Sequence, residues 1–179
     1  MTEKIVIGFR KCGTSSLCKY LDAVHDEEII LDFEKLKEKY PKNTELHIIL
    51  RNPMDRAYSD YQRLKSYYQK KDLGIHSFEE AIKKDAENIL FPGIFMNYLP
   101  QVIKYYPKVI LWNLEDLQQN KEFPQENKQE YSEMHPMTRK KLQEFYAIHQ
   151  KLLIDYLAEN TPGNPPKKKF FSKVKDLLQ

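Results

Sequence analysis

The chain has 179 residues, with 29 basic and 26 acidic side chains and a formal net charge of +3. This length suits one domain, and 41% hydrophobic with 31% charged residues excludes a wholly disordered chain. Two cysteines are too few for a disulfide framework, and no apolar run suits a signal peptide or a membrane span, so we expect a cytoplasmic protein.

Apolar, β-branched runs predict the strands, and amphipathic patterns between them predict helices. The strand runs show no polar alternation, which is typical of strands buried on both faces of a parallel sheet. The alternation of the two patterns predicts an α/β fold, with a parallel sheet between layers of helices. The predicted strands are 5–9, 29–31, 48–50 and 109–114. The helical patterns cover 14–21, 55–69, 94–103 and 142–157, and Ser77 with Glu80 forms a capping box.

A proline-rich breaker at 161–166 predicts a single domain over 1–160 and a tail over 161–179. The tail carries most of the net positive charge, so the body of the chain is not expected to bind nucleic acid. Lysines and a pair of phenylalanines in the tail suit either a solvated segment or a weak contact with an anionic membrane surface. The sequence does not indicate an oligomeric state.

The segment after the first strand predicts an anion site. Gly8 and Gly13 bound a loop that leads into a helix, whose first N–H groups and dipole attract negative charge. The spacing resembles the nucleotide-triphosphate loop G-x-x-x-x-G-K-[ST], with Ser15 in the last position. Thr14 stands where that loop has its lysine, and Lys11 is the lysine of this loop. The displaced lysine argues against ordinary ATP or GTP hydrolysis.

The segment after the third predicted strand indicates a second anion site. Arg51 ends the strand, Asn52 suits a helix cap, and Pro53 suits the first helical turn. Ser59 follows about two turns into that helix, on a face that could look back at Arg51. A guanidinium fork and a hydroxyl together suit a phosphate monoester.

Together these segments resemble two motifs of the sulfotransferases that use 3′-phosphoadenosine 5′-phosphosulfate (PAPS). R-K-x-G-T-S-S-L is similar to their 5′-phosphosulfate loop, and R-[DN]-P-x-x-R-x-x-S-x-Y is similar to their 3′-phosphate motif. A weaker match, G-x-Y-x-x-x-L with Phe95 in place of the tyrosine, extends the likeness over residues 4–160. The pattern is closest to that of glycan- and heparan-type sulfotransferases.

The resemblance implies a fold, a reaction and a set of binding residues. It implies a P-loop, nucleotide-kinase-like fold that transfers a sulfuryl group from PAPS to a hydroxyl or amine of a saccharide or small molecule. Adenosine 3′,5′-bisphosphate would be the product. No metal is implied, and the histidines are dispersed along the chain. The implied donor-binding residues are Arg10, Lys11, Cys12, Gly13, Thr14, Ser15 and Ser16 for the 5′-phosphosulfate, and Arg51 and Ser59 for the 3′-phosphate.

Sulfuryl transfer also requires a cation and a base. Lys11, assisted by Arg10, would stabilise the charge that grows on the departing phosphate oxygen. The resemblance places the base near the second strand, where Glu28, His25 and Glu27 are candidates in that order. Glu27 and Glu28 cannot both enter one cleft, because adjacent strand residues point to opposite faces.

Two other classes of protein remain open on the sequence. A nucleotide or small-molecule kinase with an altered loop would turn over ATP with magnesium, and Thr14 in the lysine position argues against it. A non-catalytic nucleotide-binding protein would keep the anion sites without a base. Binding of adenosine 3′,5′-bisphosphate without sulfate transfer would favour that second class.

Overall fold

The computed structural model describes residues 4–27, 29–126 and 131–160. Within these residues the strands are β1 (Lys4–Gly8), β2 (Val24–Glu27), β3 (Glu45–Leu50) and β4 (Val109–Asn113). They form one parallel sheet in the order β2-β1-β3-β4. Strand β2 therefore lies on one side of β1, and β3 lies on the other side.

Strands β1 and β3 form the centre of the sheet and of its core. Their side chains are buried because helices and neighbouring strands cover them, as the uninterrupted apolar runs predict. Three of the four predicted strands are thus confirmed within a few residues of their bounds. The side chains at most 1% exposed are Ile5, Val6 and Ile7 on β1 and Leu46, Ile48 and Ile49 on β3.

The predicted second strand is wrong. The strand is Val24–Glu27, a polar segment at the edge of the sheet. Among the residues that the structure describes, it pairs with β1 alone. Ile29–Leu31 instead forms a single 3-10 turn in which Ile29 and Ile30 are buried. An edge strand needs few apolar side chains, which explains why the polar segment forms the strand. The apolar run that follows it is buried as a turn.

Helices flank the sheet and complete the α/β fold. The predicted helix at 14–21 is confirmed with the same bounds, and the one predicted at 55–69 is confirmed as the centre of a longer helix. None of the helices within the described residues is long and apolar enough to cross a membrane. The α-helices are α1 (Thr14–Leu21), α2 (Phe33–Lys39), α3 (Pro53–Lys70), α4 (Phe78–Lys84), α5 (Ala86–Ile89), α6 (Leu99–Tyr105), α7 (Leu114–Leu117) and α8 (Pro136–Asn160). Further 3-10 turns cover Phe91–Gly93 and Phe95–Asn97.

The long helix α8 joins two hydrophobic clusters. Leu153 and Leu157 pack into the cluster around the sheet, while Leu142 and Tyr146 pack into a second cluster beside α3 and α4. The predicted apolar stripe over 142–157 was wider than the face that is buried, because Phe145 and other members of the stripe remain exposed.

Polar caps fix where two of the helices begin. The Asn52 side chain accepts hydrogen bonds from the backbone N–H groups of Met54 (2.9 Å) and Asp55 (3.3 Å), so α3 starts directly after β3. The predicted capping box of Ser77 and Glu80 is present at the start of α4.

Candidate active site

A cleft of about 770 Å³ opens at the carboxyl ends of β1 and β3. The strand order reverses between these two strands, and such a reversal is where open α/β sheets bind their ligands. The volume lies within the roughly 300–1,000 Å³ of typical ligand pockets. The lining residues include Lys11, Ser15, Glu27, Arg51 and Ser59.

The loop that follows β1 turns sharply under the cleft. The Cys12 N–H donates to the Phe9 carbonyl at 3.2 Å, and Gly13 adopts a left-handed φ of 89°. A Cβ on Gly13 would lie 2.8 Å from Leu114 Cδ1. Glycine is needed at position 13 for both its backbone conformation and its lack of a side chain.

The start of α1 faces the cleft without a capping side chain. Gly13 is its N-cap and makes no side-chain cap bond, and no acidic residue lies in the first turn. The Leu17 N–H makes the first intrahelical bond, at 3.0 Å to the Gly13 carbonyl, so the preceding N–H groups have no acceptor within the helix. These donors and the helix dipole make this end of α1 suitable for an anion.

Lys11 and Arg51 bring the two predicted anion sites together. Lys11 has a left-handed φ of 63°, which is uncommon for a residue with a side chain. Its carbonyl accepts a hydrogen bond of 2.8 Å from Arg51 Nη1, and both residues line the cleft. The guanidinium at the end of β3 therefore supports the loop at the end of β1.

Ser59 lines the same cleft from α3. It is 3% exposed and lies two turns from the start of the helix, as the sequence predicts. The Asn52 N–H at that start donates to Glu115 Oε1 at 2.9 Å, which ties α3 to the turn after β4. Burial raises the pKa of Glu115, although the bond from Asn52 and the charge of Arg51 act in the opposite direction.

The three candidates for the base lie in different places. Glu27 lines the cleft, and its Oε1 accepts a hydrogen bond of 2.9 Å from Thr14 Oγ1. His25 lies two residues earlier on β2, is exposed, and does not line the cleft. Glu28 lies outside the described residues. Of the two candidates that the structure describes, only Glu27 lines the cleft, although the sequence ranks His25 ahead of it.

Two residues of the predicted phosphosulfate loop, Arg10 and Cys12, do not line the cleft, and their roles in donor binding stay predictions. The Cys12 side chain is fully buried in the core, and burial raises its pKa to about 12. Arg10 instead lies beside the buried Asp60, with Nε 3.7 Å from Oδ2. The remaining residues of the loop, Lys11, Gly13, Thr14, Ser15 and Ser16, do line the cleft.

The segment after α7 forms a wall that the sequence analysis did not identify. The Glu126 N–H donates to Ser16 Oγ at 3.0 Å, and Lys19 Nζ lies 2.6 Å from Glu126 Oε1. Arg63 and Tyr131 also line the cleft. Glu126 and Tyr131 approach from distant parts of the chain, and Arg63 lies on α3 beyond the end of the motif, so no local motif marks these residues.

The fold and the site define an α/β protein whose first loop, first helix and third strand open onto one cleft at the carboxyl edge of the sheet. The family model of the sulfotransferase domain matches residues 31–127, which is more than half of the chain. The chain therefore belongs to the sulfotransferase family, enzymes that transfer a sulfuryl group, generally from PAPS.

A solved structure agrees with this assignment at the level of the fold. The sulfotransferase from Alicyclobacillus acidocaldarius superimposes with a TM-score of 0.65, at 18% sequence identity. The match covers 84% of this chain and 93% of that chain. No curated protein sequence matches the chain.

Proposed function

We propose that this sulfotransferase binds PAPS across the cleft at the ends of β1 and β3. Lys11 and the start of α1 would hold the 5′-phosphosulfate, and Arg51 and Ser59 would hold the 3′-phosphate. The observation that carries the proposal is that one cleft is lined by both sets of residues, with Arg51 bonded to the Lys11 carbonyl.

The residues present fit such a donor. A doubly phosphorylated nucleoside needs two separate groups of N–H and hydroxyl donors with cations nearby. The first group consists of the uncapped N–H groups of α1 beside Lys11, and the second consists of Arg51 and Ser59. Gly13 allows the tight turn before α1, because it has a left-handed φ of 89° and no side chain that would clash with Leu114.

Lys11 is proposed to act on the departing group. PAPS supplies the sulfuryl group and a leaving phosphate whose bridging oxygen gains negative charge during transfer. Fixed cations aimed at such a developing charge stabilise the transition state more than the ground state. The hydrogen bond from Arg51 fixes the Lys11 backbone, and Lys11 lines the same cleft as Ser15.

Glu27 is proposed to act as the base that removes a proton from the hydroxyl or amine that receives the sulfuryl group. In the order β2-β1-β3, the loop after β1 lies between Glu27 on β2 and the end of β3, where we propose that the 3′-phosphate binds. An acceptor entering from the β2 side would meet Glu27 next to the phosphosulfate loop. Thr14 donates to Glu27 Oε1, which orients the carboxylate and leaves Oε2 for an acceptor hydroxyl or amine. We propose a saccharide or small metabolite as the acceptor.

Ligand-induced stabilisation tests the donor assignment. Adenosine 3′,5′-bisphosphate should raise the melting temperature more than AMP at equal concentration, because only the bisphosphate reaches Arg51 and Ser59. Arg51→Ala and Ser59→Ala should each reduce that difference in melting temperature. Arg51→Ala should weaken binding of the bisphosphate by about 10-fold to 100-fold, because it removes charged hydrogen bonds to the phosphate.

The control is Lys70→Ala, which removes an exposed lysine at the far end of α3. It should leave both melting-temperature shifts unchanged. Equal stabilisation of the wild-type protein by AMP and by the bisphosphate would show that the 3′-phosphate assignment is wrong.

A further inference from the structure

The fully buried carboxylate of Asp60 on α3 lies within 4 Å of three arginine side chains beside the cleft. Asp60 Oδ1 lies 2.9 Å from Arg63 Nε, while Oδ2 lies 3.3 Å from Arg56 Nη1. Arg10 Nε approaches Oδ2 at 3.7 Å. Asp60 therefore holds the Arg63 guanidinium within a cluster of charged side chains beside the cleft.

Arg63 is the arginine of this cluster that reaches the cleft. It lies one turn beyond Ser59 on α3, and residues four apart share a helix face. Both side chains line the cleft. Arg56, by contrast, is fully buried and also donates to the Ile89 carbonyl, whereas the Arg63 side chain is 39% exposed.

The contact with Asp60 uses only part of the Arg63 guanidinium. Asp60 accepts from Nε, and within the described residues no hydrogen bond is made by either Nη group of Arg63. A guanidinium held in this way loses little freedom when its terminal groups bind two oxygen atoms of one phosphate. The carboxylate thus orients the arginine without occupying its terminal donors.

We infer that Arg63 is a second cation of the 3′-phosphate site and that Asp60 is the residue that positions it. This inference rests on the proposed function, because it requires the 3′-phosphate to lie beside Ser59. Arg51 would approach the phosphate from the end of β3, and Arg63 would approach it from α3. The sequence motif ends at Tyr61, so no position in the motif assigns this role to Arg63.

Calorimetric affinities for two nucleotides test the inference. Arg63→Gln should weaken binding of adenosine 3′,5′-bisphosphate by about tenfold or more, since a charge-assisted contact to phosphate is lost. Its affinity for AMP should not change, because AMP has no 3′-phosphate. Arg63→Lys should be intermediate, as it keeps the charge but cannot make the Nε contact with Asp60. The control Lys65→Gln removes an exposed positive charge two residues away that does not line the cleft. It should leave both affinities unchanged.

The outcomes separate this inference from the proposed function. If the wild-type protein prefers the bisphosphate and Arg63→Gln keeps the full preference, the inference is wrong and the donor assignment stands. If the wild-type protein itself shows no preference, the proposed function fails. Equal weakening of bisphosphate and AMP by Arg63→Gln would give Arg63 a structural role in α3 and would also overturn the inference.

Discussion

Lys11 has a backbone conformation that glycine adopts more readily than lysine. A left-handed φ at a residue with a side chain costs on the order of 1–2 kcal/mol, and neighbouring contacts must compensate. The hydrogen bond from Arg51 to the Lys11 carbonyl is such a contact. A charged residue with a strained backbone in a cleft is consistent with a role in the reaction rather than in folding.

Removing the Lys11 side chain should therefore slow transfer more than it weakens binding. We expect Lys11→Ala to lower the single-turnover rate of sulfuryl transfer by about 10²- to 10³-fold, the usual effect of losing one donor to a developing charge. The affinity for adenosine 3′,5′-bisphosphate should fall much less. Lys108→Ala is the control, because Lys108 lies at the opposite edge of the sheet, just before β4. Transfer at the wild-type rate by Lys11→Ala would remove Lys11 from the mechanism.

Glu27 and His25 can be separated by parallel substitutions. Glu27→Gln keeps an acceptor for Thr14 but removes the proton acceptor, so the transfer rate should fall by about 10²- to 10⁴-fold. His25→Ala should transfer at the wild-type rate, because His25 does not line the cleft. The measurement is the rate at saturating donor for each variant. A full rate in Glu27→Gln would return the assignment to His25 or Glu28.

At the scale of elements, the strand–loop–helix unit from β1 to α1 depends on Gly13. Gly13→Ala would introduce strain of about 1–3 kcal/mol at φ 89° and a contact of 2.8 Å with Leu114. We expect a lower free energy of unfolding together with a loss of bisphosphate binding. Chemical denaturation and calorimetry measure the two effects.

Gly74→Ala is the matched control for this prediction. Gly74 also has a left-handed φ, 59°, but its added Cβ would meet only the flexible end of Lys84, and it lies in the loop before α4. It should destabilise the protein without changing nucleotide affinity. Unchanged binding in Gly13→Ala would show that the tight turn is not part of the site.

The edge strand β2 is held to α2 through one carboxylate. Asp26 Oδ2 accepts hydrogen bonds from Lys39 Nζ (2.7 Å) and Tyr40 Oη (2.8 Å). Burial alone would raise the pKa of Asp26, but these two donors outweigh it and lower the pKa below its usual value. A lowered pKa in the folded state means that the ionised carboxylate stabilises the fold.

This stabilisation should be present at neutral pH and lost in acid. It is complete above the unfolded pKa of about 3.9 and disappears as the pH falls through the lower pKa of the folded state. Asp26→Asn should lower the free energy of unfolding by about 1 kcal/mol at pH 7. The difference from wild type should shrink below about pH 4 in denaturation curves. A difference that does not depend on pH would contradict this explanation.

For the whole molecule, the sequence predicted what is encoded locally. The bounds of α1, the cap of α3 and the central strands follow from patterns a few residues long, and all are confirmed. The strand β2 was missed because it lies at the edge of the sheet, where a strand needs few apolar side chains, and so it carries no apolar run. Glu126 was missed because its place in the cleft depends on packing between distant segments, whereas Arg63 was missed because it lies just beyond the motif that ends at Tyr61.

The family match and the geometry support different parts of the site. The matched region, 31–127, contains Arg51 and Ser59 but begins after the Lys11 loop and β2. The roles proposed for Lys11 and Glu27 therefore depend on the sheet, which brings the ends of β1 and β2 beside the end of β3. The domain boundary near residue 160 stays a prediction, because 161–179 lie outside the described residues.

A crystal structure of the chain with adenosine 3′,5′-bisphosphate is the most direct measurement. It should place the 5′-phosphate within hydrogen-bond distance of the N–H groups of Gly13, Thr14 and Ser15, and the 3′-phosphate against Arg51 and Ser59. A bisphosphate bound elsewhere, or one whose 3′-phosphate lies in solvent away from Arg51, would contradict the assignment of both sites.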